Sequence, residues 1–271
     1  MIETMERKSQ SGPRAGSLIF GKKAPTFAFS LALALAATFA TAALAASCSG
    51  RMETSIRNDL SARVAIRVEV PDALAARVRQ IGGMAPGSPL FNAQKIRDEF
   101  EGRSTMNLVD LSVPNPESMT SVIWIPALPS LASDSSLVPP GLLSLKTVPA
   151  GGGKPAMKEL SFSLDRQNAA KAFKLFPGLD SRLVESLSPP ALETDPLSAA
   201  DYRMNLETVI VGKKAMPAFD ACFIEISVIA PKSILESGGG TALGQVFKAK
   251  IPLMDILTLE RPVAFRLMWA D

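Results

Sequence analysis

Apolar residues along this chain fall into two patterns: one unbroken run near the start, and short alternating stretches beyond it. Residues 24–46 carry no charge, consist largely of Ala with Leu and Phe, and directly follow Lys22-Lys23. A positive segment, an apolar core and small residues ahead of a cut site mark a secretory signal, with the positive charges held on the cytoplasmic side. The run is marginal as a permanent span, which wants roughly 20 strongly apolar residues. It closes on Leu44-Ala45-Ala46-Ser47-Cys48.

The alternating stretches predict strands. Met52, Thr54 and Ile56 alternate with polar residues, Asn58-Asp59 supplies turn chemistry, and Val64, Ile66, Val68 and Val70 alternate with Arg63, Ala65, Arg67 and Glu69. That is a hairpin with one buried face, and the two arginines on its open face read as edge protection. Residues 106–113 and 121–125 predict two further strands. Residues 158–164 predict another. Near the end, Ile224, Ile226 and Val228 alternate, Pro231 stops that run, Gly238-Gly239-Gly240 makes a turn, and residues 245–251 form a strand. Residues 256–259 lead into a last strand carrying Val263, Phe265, Leu267 and Trp269, which ties the tail into the sheet. Glu225 and Arg266 sit among apolar strand neighbours, as a cross-strand ion pair or in a pocket, the pair being favoured.

Between the strands lie helical signals. Pro71-Asp72 opens a helix to Ile81 that Gly82-Gly83 stops. Ser88-Pro89 starts a second, closed by Gly102, with Leu90, Phe91, Ala93, Ile96 and Phe100 on one face. Asn168 caps a helix over 169–176 that Pro177-Gly178 ends, and a short helix follows over 180–187. Ser198 and Asp201 form a variant capping box for a helix to Val211, with Gly212 after it. Tyr202, the only tyrosine, is expected to pack inside with its hydroxyl on a cap. Residues 126–157 break the pattern, since 15 of these 32 residues are Pro, Gly or Ser. This predicts an extended excursion that folds back on the body. Within it, Gly151-Gly152-Gly153-Lys154 is followed by Pro155 where a phosphate loop requires Ser or Thr, so it reads as a flexible turn. The fold class predicted is α+β: an antiparallel or mixed sheet from the N- and C-terminal strands, packed with several short helices, in one exported domain over 48–271.

The end of the apolar run decides the address. Leu44 through Cys48 resembles a lipobox, in which small residues precede a cysteine that takes a diacylglyceryl thioether and becomes the mature N-terminus. Here the usual Leu position holds Ala45, and Leu44 stands one place early. The rival is cleavage after Ala43-Leu44-Ala45, an A-x-A site releasing a soluble domain. The lipobox reading makes residues 1–47 a signal peptide and Cys48 the lipidation site. The membrane is then a partner through lipid on Cys48, on the periplasmic side or at the cell surface of a bacterial envelope. More than one acyl chain gives stable anchoring, where a single chain binds only marginally.

Removing residues 1–47 changes the charge. The chain has 29 basic and 26 acidic residues; that segment holds five and two of them, which leaves 24 of each. A nucleic-acid binder shows a basic footprint in its folded domain, so nucleic acid is not expected as a partner. There is no histidine, which removes Ser-His-Asp and Cys-His catalysis, His-assisted zinc sites and the commonest general base. No cofactor, metal ligand set or catalytic residue is predicted. With Cys48 acylated, Cys222 has no partner and reads as a small buried hydrophobe.

The turn and cap residues also carry a resemblance. Leu175-Phe176-Pro177-Gly178, Ser188-Pro189-Pro190-Ala191-Leu192, Pro196-Leu197-Ser198 with Asp201-Tyr202-Arg203, Ala230-Pro231 with Gly238-Gly239-Gly240, and Leu259-Glu260-Arg261-Pro262 before Trp269 together resemble uncharacterised lipoproteins of spirochaetes. More loosely they look like the LppM-type lipoprotein domain. The resemblance implies an α+β envelope module with no established enzymatic activity and no catalytic residues to carry over. Two functions follow as expectations. The first is a membrane-anchored, non-enzymatic binding or assembly module, for an envelope protein, a lipid or another hydrophobic ligand. The second is a carboxylate-based hydrolase, which needs no histidine, with Asp98, Glu99 and Glu101, or Glu193 and Asp195, as candidates.

Overall fold

The computed structural model describes residues 48–151, 155–175 and 181–271, all within one compact unit. Residues 1–47, expected as a signal peptide, residues 152–154 and the expected helix end at Pro177-Gly178 lie outside the described residues.

The strand alternation builds a mixed seven-stranded sheet. In chain order its strands are β1 (Ser49–Ile56), β2 (Ala62–Glu69), β3 (Asn107–Asn115), β4 (Ser118–Ile125), β7 (Phe223–Ile229), β9 (Thr241–Leu243) and β10 (Val246–Pro252). They lie in the order β3-β4-β2-β1-β7-β10-β9. The expected hairpin is β1–β2, with Met52 opposite Ile66 and Thr54 opposite Val64. Its turn rests on Asp59 rather than Asn58, because the Asp59 carboxylate accepts from both the N–H and the hydroxyl of Ser61. Strand β2 is interior, so Arg63 and Arg67 protect no edge; Arg67 instead faces Glu69 at 3.4 Å in solvent. Strand β1 pairs with β2 on one side and, in parallel, with β7 on the other.

A second, antiparallel sheet holds β5 (Leu143–Val148), β6 (Met157–Leu164), β8 (Ile234–Gly238) and β11 (Val263–Ala270), ordered β5-β6-β11-β8. Strand β11 is interior, and the Asp271 N–H donates to Ala156 O, so the tail is held as expected. Apolar faces of both sheets enter one cluster: Ile56, Val64, Ile123, Ile226, Val228 and Phe247 from the large sheet, and Leu160, Leu164, Phe265, Leu267 and Trp269 from the small one. Phe265 stacks on Phe162 at 5.0 Å and meets Phe247 of the other sheet at 5.3 Å, within the range of favourable aromatic pairs.

Short helices close this core: α1 (Asp72–Ile81), α2 (Ala93–Phe100), α3 (Leu128–Ser133), α4 (Ala169–Phe173), α5 (Ser181–Leu187), α6 (Ala199–Asn205), α7 (Met216–Asp220) and α8 (Leu253–Thr258). Several differ from expectation for identifiable reasons. Helix α2 starts after Asn92, whose side chain accepts from the Lys95 N–H, while the Ser88 hydroxyl is engaged by Ala85 O. Asn168 caps no helix with its side chain; it bridges Asp165 N–H and Ser163 O at the end of β6. Residues 126–157 are not a bare excursion, since α3 buries Leu128 and Leu131 and β5 pairs along β6. Residues 256–259 end helix α8, with Leu259 left-handed at φ 43. Glu225 and Arg266 belong to different sheets: Glu225 faces Arg51 at 3.7 Å, and Arg266 faces Glu159 at 3.4 Å and Glu236 at 3.5 Å.

The Gly238-Gly239-Gly240 turn has a larger role than expected. It carries the chain from β8 in the small sheet to β9 in the large one, where Gly238 pairs with Arg266 and Thr241 with Lys248.

Candidate functional site

The residue that the sequence marks for lipidation leads straight into the middle of the large sheet. Cys48 precedes β1 with no intervening residue, and its carbonyl accepts from the Phe223 N–H at 3.2 Å. It is half-buried in a second apolar cluster formed by the helices at this end. Leu74, Tyr202, Leu206, Val211, Ala215, Met216, Phe219, Cys222 and Leu257 are that cluster's buried residues, and Cys48, Val78, Ile210 and Leu253 are among those that pack against it.

Local chemistry holds these helices in place. The Ser198 hydroxyl accepts from Asp201 N–H, as the capping box predicts, and the Glu260 carboxylate accepts from Ala199 N–H at 2.6 Å. Both acceptors satisfy open N–H groups at the N-terminus of α6. Beyond α6 the chain widens into a π turn, Leu206–Ile210, and Gly212 ends it at φ 84. Arg77 of α1 donates to the carbonyls of Val209 and Ile210 at the end of this turn. Arg166 donates likewise to Thr258 O at the end of α8.

Tyr202 is fully buried and its hydroxyl donates to Leu187 O at 2.8 Å, the last carbonyl of α5. That is the packed, cap-bound tyrosine the sequence predicts. Burial raises its phenol above the ordinary value, which is about 10. A folded pKa above the unfolded one means the stabilisation is complete below the unfolded value and is lost as pH climbs through and beyond it. Alkaline unfolding above about pH 10 is therefore expected, with Tyr202 ionising only as the fold opens. With one tyrosine in the chain, tyrosinate absorbance followed beside far-ultraviolet circular dichroism checks this. Tyrosinate formed at the ordinary pKa with the circular dichroism unchanged would contradict it.

The sequence reading missed the neighbour of Cys48. Cys222 is buried at 2 % exposure just before β7, in the same cluster. Its thiol donates to Ala218 O at 3.3 Å. Hydrogen bonding with Cys222 lowers the Cys48 thiol, against a smaller opposing effect of burial. Cys222 is pushed up, first by that hydrogen bond and then by burial. No local signal reveals this neighbour, because parallel pairing of β1 with β7 joins residues 174 positions apart.

At the opposite end of β1 and β7 lies an open depression of about 540 Å³, lined by Ile56, Arg57, Asp59, Ile229, Pro231 and Gln245 among others. Its lining residue Ile56 is the eighth residue after Cys48 along β1, roughly 25 Å away at the rise of a β-strand. It is shallow, whereas sites for small ligands bury most of the ligand surface, so it does not provide the enclosed apolar chamber that a lipid chain requires. Arg57 lies over the Trp124 ring at 4.7 Å beside it.

The carboxylates considered for hydrolysis are surface groups. Asp98 accepts from Gln94 and Glu99 faces Lys95 at 4.0 Å, both along α2. Glu101, Glu193 and Asp195 are exposed. Among the described residues, no three His, Cys, Asp or Glu side chains cluster to hold a metal, and no helix is long and apolar enough to cross a membrane.

No protein-family description and no curated protein matches the chain. Among solved structures, it is similar to the folded domain of LppM from Mycobacterium tuberculosis, determined by NMR. The TM-score is 0.34 at 10% identity, and the match covers 83% of this chain and 91% of that one. This is a distant likeness and carries no functional argument. Nothing in these comparisons bears on the resemblance to spirochaetal lipoproteins.

Proposed function

We propose that the protein is an exported bacterial lipoprotein, anchored to an envelope membrane through lipid on Cys48, whose α+β body is a non-enzymatic binding or assembly module. The observation that carries this reading is the lipobox-like run ending at the residue directly before a central strand. Most of a tether's freedom is absent when the attachment residue is followed at once by β1, so the body sits against the membrane by its Cys48 end. The depression bordered by Arg57 and Asp59 then points away from the bilayer, and it is the surface offered to an envelope partner. Its polar rim and open shape suit a protein partner better than a sequestered lipid. The neutral charge of residues 48–271 gives no electrostatic attraction to nucleic acid,.

Metabolic labelling with a palmitate analogue tests the anchor. Wild-type chain expressed in a bacterium is expected to take up label and to partition into detergent. Cys48→Ala is expected to take up none and to remain as unprocessed precursor. Equal labelling of the two would overturn the reading.

A further inference from the structure

We infer that Cys48 and Cys222 form an intrachain disulfide in any molecule that meets an oxidising compartment with Cys48 not acylated. They are the two cysteines of the chain. The parallel register of β1 and β7 runs from Ser49 opposite Phe223 to Ser55 opposite Ile229. One residue earlier on both strands stand Cys48 and Cys222, joined across the gap by the bond from Phe223 N–H to Cys48 O. Neighbouring strands lie about 4.8 Å apart, inside the roughly 4.4–6.8 Å that separates the Cα atoms of bridged cysteines. Both side chains enter the same apolar cluster, where the interaction between the two thiols lowers that of Cys48 and pushes that of Cys222 up. The fold thus sets the two cysteines side by side on neighbouring strands before any oxidant arrives.

The chemistry assigns different parts to the two thiols. Cys48 is half-buried and Cys222 fully buried, so an incoming disulfide reaches Cys48. The oxidant is a low-molecular-weight or protein disulfide, the kind of acceptor an oxidising compartment supplies. The Cys48 thiolate attacks one of its sulfurs, forming a mixed disulfide and expelling one thiolate. Cys222 then loses its proton and attacks the Cys48 sulfur, expelling the second thiolate. Two electrons pass to the acceptor, and the two protons lost by the protein end on the acceptor's two thiols. A thioether and a disulfide compete for the single sulfur of Cys48. A precursor that oxidises first is therefore closed to acylation. This inference does not depend on the anchor, because an unlipidated chain retains the same pair.

The test uses the full-length chain, purified reduced in detergent from cells that do not export it, and incubated with oxidised glutathione before alkylation and digestion. The expected product is a chain lighter by two hydrogens, with a reducible peptide pair joining Cys48 and Cys222. In Cys222→Ser, glutathione is expected to remain on Cys48. Two alkylated cysteines in the wild type, or glutathione left on its Cys48, would overturn the inference. So would a linked peptide that forms as readily in guanidinium as in the folded chain, since the fold would then not be what pairs the sulfurs.

Discussion

Gly239→Ala and Gly240→Ala are each expected to destabilise the fold by at least about 3 kcal/mol, against a total that is typically about 5–15 kcal/mol. At Gly239 the backbone has φ +78, and an added Cβ would stand 2.1 Å from Ala264 O and 2.9 Å from Phe265 Cα. At Gly240 it would stand 2.4 Å from Lys248 O and 2.5 Å from Phe247 Cζ. These contacts are with the backbone and the aromatic ring through which the two sheets meet, so relief requires the sheets to part. Gly238 is the internal control: it has no atom within 4 Å of such a Cβ and no positive φ. Gly238→Ala is expected to change stability by less than about 1 kcal/mol. Denaturant midpoints of the three variants decide the matter, and equal midpoints for Gly238→Ala and Gly239→Ala would show that the corner is not crowded.

Glu117→Ala is expected to cost about 3 kcal/mol, because it strands a buried charge. Arg79 is buried at 7 % exposure; its guanidinium donates to the Glu117 carboxylate and, through Nε, to Ser88 O at 2.7 Å. Glu117 stands in the β3–β4 turn, where its carbonyl accepts from Val70 N–H and the neighbouring Pro116 carbonyl accepts from Leu90 N–H. One fork therefore fastens α1, the 84–90 connection and a hairpin turn. Arg79→Ala leaves a carboxylate that still reaches water, and its cost is nearer about 2 kcal/mol. In the double variant the losses are expected to fall short of their sum by more than about 1 kcal/mol. Arg79→Lys does not restore stability, since an ammonium lacks the planar fork that serves two acceptors. Additive losses in the cycle, measured by urea unfolding, would show that the pair is uncoupled.

What the chain discloses locally, it discloses well. The alternation in β1, β2 and β7, the capping box at Ser198, the stop at Gly212 and the buried tyrosine are each written within a few neighbouring residues. The departures share a different cause. Helix α3 and strand β5 lie in a Pro- and Ser-rich stretch, and they form because Leu128, Leu131 and Leu143 find apolar partners elsewhere. Strands β8 and β9 are short and flank a crossing that has meaning only once two sheets exist. Glu225 and Arg266 look alike in the sequence and are separated by sheet membership. The pairing of Cys48 with Cys222 is the extreme case, since it depends on a parallel register that no short-range pattern records. The lipobox-like run ending at Cys48 was legible, and the neighbour of Cys48 was not.

The central claim is that Cys48 is the lipid-bearing first residue of the mature protein. The most direct measurement is the intact mass, with N-terminal peptide identification, of wild-type and Cys48→Ala protein from the same bacterial membrane preparation. The expected wild-type chain begins at Cys48 and is heavier than its sequence by a diacylglyceryl group, with or without a further acyl chain, while Cys48→Ala lacks that increment. An unlipidated chain beginning at Ala46 in both proteins would contradict it and would establish a soluble exported domain.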